Sequence, residues 1–78
     1  ARGTEAEALA SLDLEHLRQA LLQLPVEQRS VLVLRYYHDL SYEEIATALA
    51  CPIGTVRSRI HNGLARLKQM LAQEVAML

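Results

Sequence analysis

Thr55, Arg57, Ser58, Arg59, His61 and Asn62 fall within about two helical turns of one another. Hydroxyl, guanidinium, imidazole and amide groups grouped in this way can hydrogen-bond another polar surface. Amides, hydroxyls and guanidinium groups match the base edges of duplex DNA, and flanking cations match its phosphates. The same residue types also occur on any solvated helix face. Groups for bond-making chemistry are harder to find. Glu43 and Glu44 are adjacent carboxylates, but Glu44 lies three residues after Ser41, where a capping box needs it. His16, His38, His61 and the single Cys51 do not share ligand spacing on one helix face, so no metal site is expected. The chain is read as a binding module, not an enzyme, with no cofactor and no catalytic residue.

The element that must carry the first group is a helix starting at Pro52 or Ile53 and running to about Val75. With Val56 set at 0°, Ile60, Leu67 and Leu71 fall at about 40°, 20° and 60°. Ser58, Gln69 and Asn62 fall near 200°, 220° and 240°, on the opposite face. Thr55, Arg59 and Arg66 flank that face on one side, and His61, Lys68 and Arg57 on the other. Arg57 lies about 60° from the centre of the apolar stripe. It can lie over the core or pair with a carboxylate, although direct DNA contact is preferred. Free amides near Gly54 and Thr55, at the positive end of the helix dipole, can accept a phosphate. Gly63, inside the helix, either bends it or lets a neighbour approach closely.

Three earlier helices must hold this one. Leu14, Leu17, Leu21 and Leu24 mark the first, over residues 11–24, and Pro25 separates it from the next. The second runs from about Val26 to Tyr37. Its consecutive Val31, Leu32, Val33 and Leu34 would also suit a strand, but its length favours a helix near the centre of the fold. His38-Asp39-Leu40 forms a turn. Ser41 and Glu44 cap a third, short helix from Tyr42 to about Ala50, which buries Ile45, Ala46 and Leu49. Cys51-Pro52 ends it, because the residue before proline avoids helical geometry. The predicted fold is therefore all-α, a small four-helix domain containing a helix-turn-helix without a wing. It spans 11–75, after a linker or frayed helix start over 1–10.

Composition bounds the rest. The chain has 78 residues, 51% of them hydrophobic and 4% aromatic, which suits one small domain without a large enzyme cleft. One Cys excludes an internal disulfide and fits a reducing, cytoplasmic compartment. No apolar run nears the roughly 18 residues of a membrane span, and no signal-peptide pattern is seen, so no membrane partner is expected. Opening on Ala1 rather than Met suggests a piece of something longer. Net charge is −1, but it is unevenly spread. Residues 1–50 hold four basic and eight acidic side chains, while 51–73 hold Arg57, Arg59, Arg66 and Lys68 and no acid. An acid-free basic stretch suits a polyanion. His16 and His38 read as surface residues, Cys51 as a turn residue, and Tyr36-Tyr37 as core and rim packing.

Leu24-Pro25-Val26-Glu27-Gln28-Arg29, Leu34-Arg35, Leu40-Ser41-Tyr42-Glu43-Glu44-Ile45-Ala46 and Cys51-Pro52-Ile53-Gly54-Thr55-Val56-Arg57-Ser58-Arg59-Ile60 resemble region 4 of bacterial RNA polymerase sigma factors of the ECF (extracytoplasmic function) group. The resemblance covers about residues 12–72. It implies a helix-turn-helix that reads the −35 promoter element in the major groove, docks on the flap of the polymerase β subunit, and can be masked by an anti-sigma factor. It implies that Arg35, Ser41 and Tyr42 meet the DNA backbone, and that Pro52, Thr55, Arg57, Ser58, His61 and Asn62 face the groove. Asn62 and Leu64 lack the charges such proteins often carry there, and Asn62 could instead pair with an adenine edge. Two other readings remain. One is a protein-interaction module for the flap or an anti-sigma factor without strong DNA binding. The other is the helix-turn-helix of a response regulator, which shares the E-I-A and T-V core.

Overall fold

The computed structural model describes residues 14–76, with side chains described through Gln73. The expected linker over residues 1–10 and the expected helix start at residues 11–13 lie outside them. The described residues form helices and turns with no strand. They comprise α1 (Leu14–Leu22), α2 (Val26–Leu32), a π-helical turn continuing α2 (Val33–Tyr37), α3 (Tyr42–Leu49) and α4 (Ile53–Ala76).

Each boundary has a local cause. Gln23 and Leu24 close a turn by donating to the Ala20 and Leu21 carbonyls, so α1 stops two residues before the expected end. Arg29 Nη1 donates to the Leu22 carbonyl at 3.1 Å, satisfying one of the acceptors that a helix end leaves open. Pro25 sits in extended geometry (φ −55°, ψ 146°), and its carbonyl accepts from Gln28 and Arg29 at 3.0 Å each, which starts α2.

The second helix departs from expectation in its last turn. It is α-helical only to Leu32, and Val33–Tyr37 is wound as a π-helix. His38 N–H reaches back five residues to the Val33 carbonyl (3.2 Å), and Leu40 N–H bonds to the Leu34 carbonyl (3.1 Å). These longer-range bonds widen the coil as it unwinds into the turn at Asp39, whose φ of 58° is left-handed.

The capping box at α3 is complete. Glu44 N–H donates to Ser41 Oγ at 3.1 Å, and Ser41 N–H donates to Glu44 Oε1 at 2.8 Å. At the other end Ala50 is left-handed, with φ 55°, and Cys51 N–H bonds to the Ala46 carbonyl at 3.0 Å. This is a Schellman-type ending, in which a left-handed residue lets the last carbonyls find donors.

The core gathers Leu24, Val31, Leu32, Ile45, Val56 and Ile60. These come from α2, α3, α4 and the turn after α1, so no helix is held by its own face alone. Burying each is worth about 1.5–3 kcal/mol. Val31 and Leu32 place α2 centrally, as its apolar run requires. Ala46 and Leu49 of α3 are only half-buried. Gly63 is buried against α2, and a Cβ there would lie 3.2 Å from Leu32 Cδ1 and 3.3 Å from Gln28 Cβ. Its role is therefore close approach, and α4 runs through it as one helix. Tyr36 and Tyr37, expected in core and rim packing, are 62% and 74% exposed and take no part in the core. Among the described residues no helix is long and apolar enough to cross a membrane.

Candidate nucleic-acid interface

Two short elements aim α4. The left-handed Ala50 and the Cys51-Pro52 pair turn the chain between α3 and α4. The Pro52 carbonyl then accepts from Thr55 (3.0 Å) and Val56 (3.2 Å), closing the first turn of α4. Because Thr55 N–H is used in this way, the amides left open at this helix start, among the described residues, are those of Ile53 and Gly54. The Thr55 amide, expected to be open, is therefore not available to a phosphate.

Val56 and Ile60 are buried and fix the rotation of α4. The opposite side is therefore outward: Arg57, Ser58, His61 and Asn62 are exposed, as are Pro52 and Gly54, while Thr55 and Arg59 are half-buried. A Cβ on Gly54 would meet nothing within 4 Å, so packing does not call for glycine there. Among the described residues, Arg57, Ser58, Arg59, His61 and Asn62 make no side-chain hydrogen bond or ion pair. Arg57 thus pairs with no carboxylate among the described residues, and it is exposed. The group presents donors and acceptors that are not consumed inside the protein.

Arg35, Ser41 and Tyr42 form a separate cluster at the start of α3, all three half-buried. Arg35 Nη1 donates to the Leu40 carbonyl at 3.0 Å. Its guanidinium carbon lies 5.6 Å from the centre of the Tyr42 ring and 5.9 Å from that of Tyr36, within cation–π range. Ser41 Oγ accepts within the capping box, which leaves its O–H proton free to donate outward.

Residues 14–67 match the family described as Sigma-70, region 4. The chain belongs to that family. Among curated relatives it is 42% identical over 66 residues to the ECF RNA polymerase sigma factor SigW of Bacillus subtilis, covering 83% of this chain and 35% of that protein. It is 47% identical over 55 residues to the RNA polymerase sigma-E factor of Streptomyces antibioticus, covering 70% of this chain and 31% of the relative. It is 49% identical over 57 residues to the ECF RNA polymerase sigma factor SigE of Mycolicibacterium smegmatis, covering 73% and 22%. The chain spans about a third or less of the curated relatives it matches. Membership as an ECF-type region 4 removes the response-regulator reading.

Sequence reasoning allowed for an apolar interaction surface but did not locate it. An apolar groove of about 530 Å³ runs between α1 (Leu14, Leu17, Leu21), the end of α2 with its π turn (Leu32, Val33, Tyr36, Tyr37) and α4 (Leu64, Leu67). Leu64 and Leu67 lie on the side of α4 away from Ser58 and Asn62. Leu14, expected on a buried stripe, is 78% exposed at this groove. The missed signal was an excess: the sequence places more large apolar residues on α1 and α2 than so small a core can cover.

Proposed function

We propose that this domain recognises the promoter −35 element as region 4 of an ECF sigma factor, directing RNA polymerase to start transcription in the bacterial cytoplasm. One observation carries the reading: the outward face of α4, anchored by Val56 and Ile60, holds Arg57, Ser58, His61 and Asn62 exposed and unpaired. Set in a major groove, Ser58 and Asn62 reach base edges, while Thr55, Arg57, Arg59 and His61 line the flanks. Pro52 and the open amides of Ile53 and Gly54 lie at the end of α4 nearest the backbone. Arg35, Ser41 and Tyr42 serve the backbone on the α3 side. The domain binds and makes no bonds, so no cofactor enters.

The apolar groove supports the second half of the proposal, docking on the polymerase core through the β-subunit flap. It lies across α4 from the base-reading side, so one domain can hold both partners at once. An anti-sigma factor covering the same leucines would mask it.

The test is selection of duplexes from a randomised pool by the full chain, followed by titration in increasing salt. With roughly four phosphate contacts, log K against log salt slopes near −3 to −4. Absence of any sequence enrichment, with flap binding retained, would instead favour the interaction-module reading.

A further inference from the structure

The resemblance implies that Arg35 meets the DNA backbone, yet its guanidinium already makes contacts within the protein. Nη1 holds the Leu40 carbonyl at 3.0 Å, and the charge lies over two tyrosine rings. The Leu40 carbonyl and the Ser41 N–H belong to one planar peptide unit. Glu44 Oε1 holds that unit by its N–H at 2.8 Å. Arg35 and Glu44 therefore grip the same plane from opposite sides, directly after the left-handed turn at Asp39 (φ 58°). Rotation of this plane would swing Ser41 Oγ and the Tyr42 ring together.

We propose that Arg35 is a positioning residue: it locks the Leu40–Ser41 peptide and the Tyr42 ring so that Ser41 and Tyr42 present a fixed pair of donors to a DNA phosphate, and it does not itself neutralise one. This rests on the promoter-binding reading. A donor on a planar, stackable group is what the task needs, and the lysine ammonium has no such face. The charge of Arg35 then contributes little to counterion release.

The test compares Arg35→Lys and Arg35→Met in the full chain, against a duplex selected by the unmodified protein. Both variants bind about tenfold more weakly, with the salt slope unchanged. Tyr42→Phe, which keeps the ring but loses the phenol, retains the coupling to Arg35, whereas Tyr42→Leu loses it. A phosphate-contacting Arg35 gives the opposite pattern: Arg35→Lys binds nearly as well as the original, and Arg35→Met flattens the slope by about 0.9. That pattern overturns the proposal. Amide hydrogen exchange supplies an arm that needs no DNA. Ser41 N–H exchanges about tenfold faster in both variants, while the amides of Ile45 and Ile60 keep their protection. Unchanged exchange at Ser41, or loss of protection throughout, overturns the proposal. If the unmodified chain selects no duplex, the promoter reading fails, and the exchange arm still judges the grip on the Leu40–Ser41 peptide.

Discussion

The two halves of α4 leave different sides of one helix open. Before Gly63, the helix buries Val56 and Ile60 and turns Ser58, His61 and Asn62 outward. After it, Leu64 and Leu67 are half-buried and line a groove that nothing in the described chain fills. In the first half the apolar side is saturated by the core and the polar side is available. In the second half Leu71 is buried, but Leu64 and Leu67 leave part of the apolar side open. A single amphipathic pattern thus leaves two faces open, because the helices packed against α4 cover only part of its apolar side.

The largest expected effect tests whether the halves share one foundation. Ile45 is fully buried and packs with Val56 and Ile60, so Ile45→Ala should cost about 2–5 kcal/mol in urea unfolding. In a domain this small that is a large part of the total stability. DNA binding and groove binding should fall together. Loss of one with the other intact would mean that the two halves fold independently.

The next test should separate them. Leu67→Asp places a charge in the groove and should abolish flap binding, a loss above about 2 kcal/mol if Leu67 is a central anchor. Duplex binding should stay unchanged. Asn62→Ala should do the reverse, removing about 1–3 kcal/mol of discrimination at one base pair while flap binding persists. Equal weakening of Asn62→Ala on every duplex would deny that residue a base-reading role. A competition experiment with both partners present checks that they bind at the same time.

The two halves also differ in how readable they were. Spacing alone placed Val56 and Ile60 inside and Ser58 and Asn62 outside, because a buried stripe fixes a helix's rotation and the opposite face follows. The capping box at Ser41 was equally legible, since its two hydrogen bonds are local. The groove was not: periodicity ranks Leu14, Leu64 and Leu67 with the core residues, and only the packing of three helices decides which are covered. The π turn and the Arg35 grip were hidden for a related reason. They depend on where the Leu34 and Leu40 backbone groups end up, which no residue pattern encodes.

Gly63, at the junction, sharpens the comparison further. Its Cβ position lies 3.3 Å from Gln28 Cβ, an atom close to the α2 backbone that cannot step aside as the tip of Leu32 can. Gly63→Val should overpack this contact and cost about 1–3 kcal/mol by denaturant unfolding. Gly63→Ala should come out near neutral, because the roughly 1 kcal/mol gain in helix propensity offsets the small displacement. A strongly stabilising Gly63→Ala would show that α2 and α4 can separate at little cost.

The smallest effect concerns the two turns on either side of α3, both built on left-handed residues that are not glycine. Ala50 has φ 55° and Asp39 has φ 58°. For alanine this geometry crowds Cβ against the following carbonyl at about 1–2 kcal/mol, with no compensating side-chain hydrogen bond. Aspartate tolerates it better, since a short polar side chain can bond locally. Ala50→Gly should therefore stabilise the domain by about 0.5–1 kcal/mol once glycine's greater loss of chain entropy is subtracted. That corresponds to roughly 2–8 °C in thermal midpoint for a domain of this size. Asp39→Gly should gain less. Base preference should survive Ala50→Gly, because the Cys51 bond to the Ala46 carbonyl sets the turn and needs no side chain at residue 50. A shifted base preference would mean that the strain at Ala50 aims α4, and that the outward half of the helix depends on its entrance turn as well as on its core.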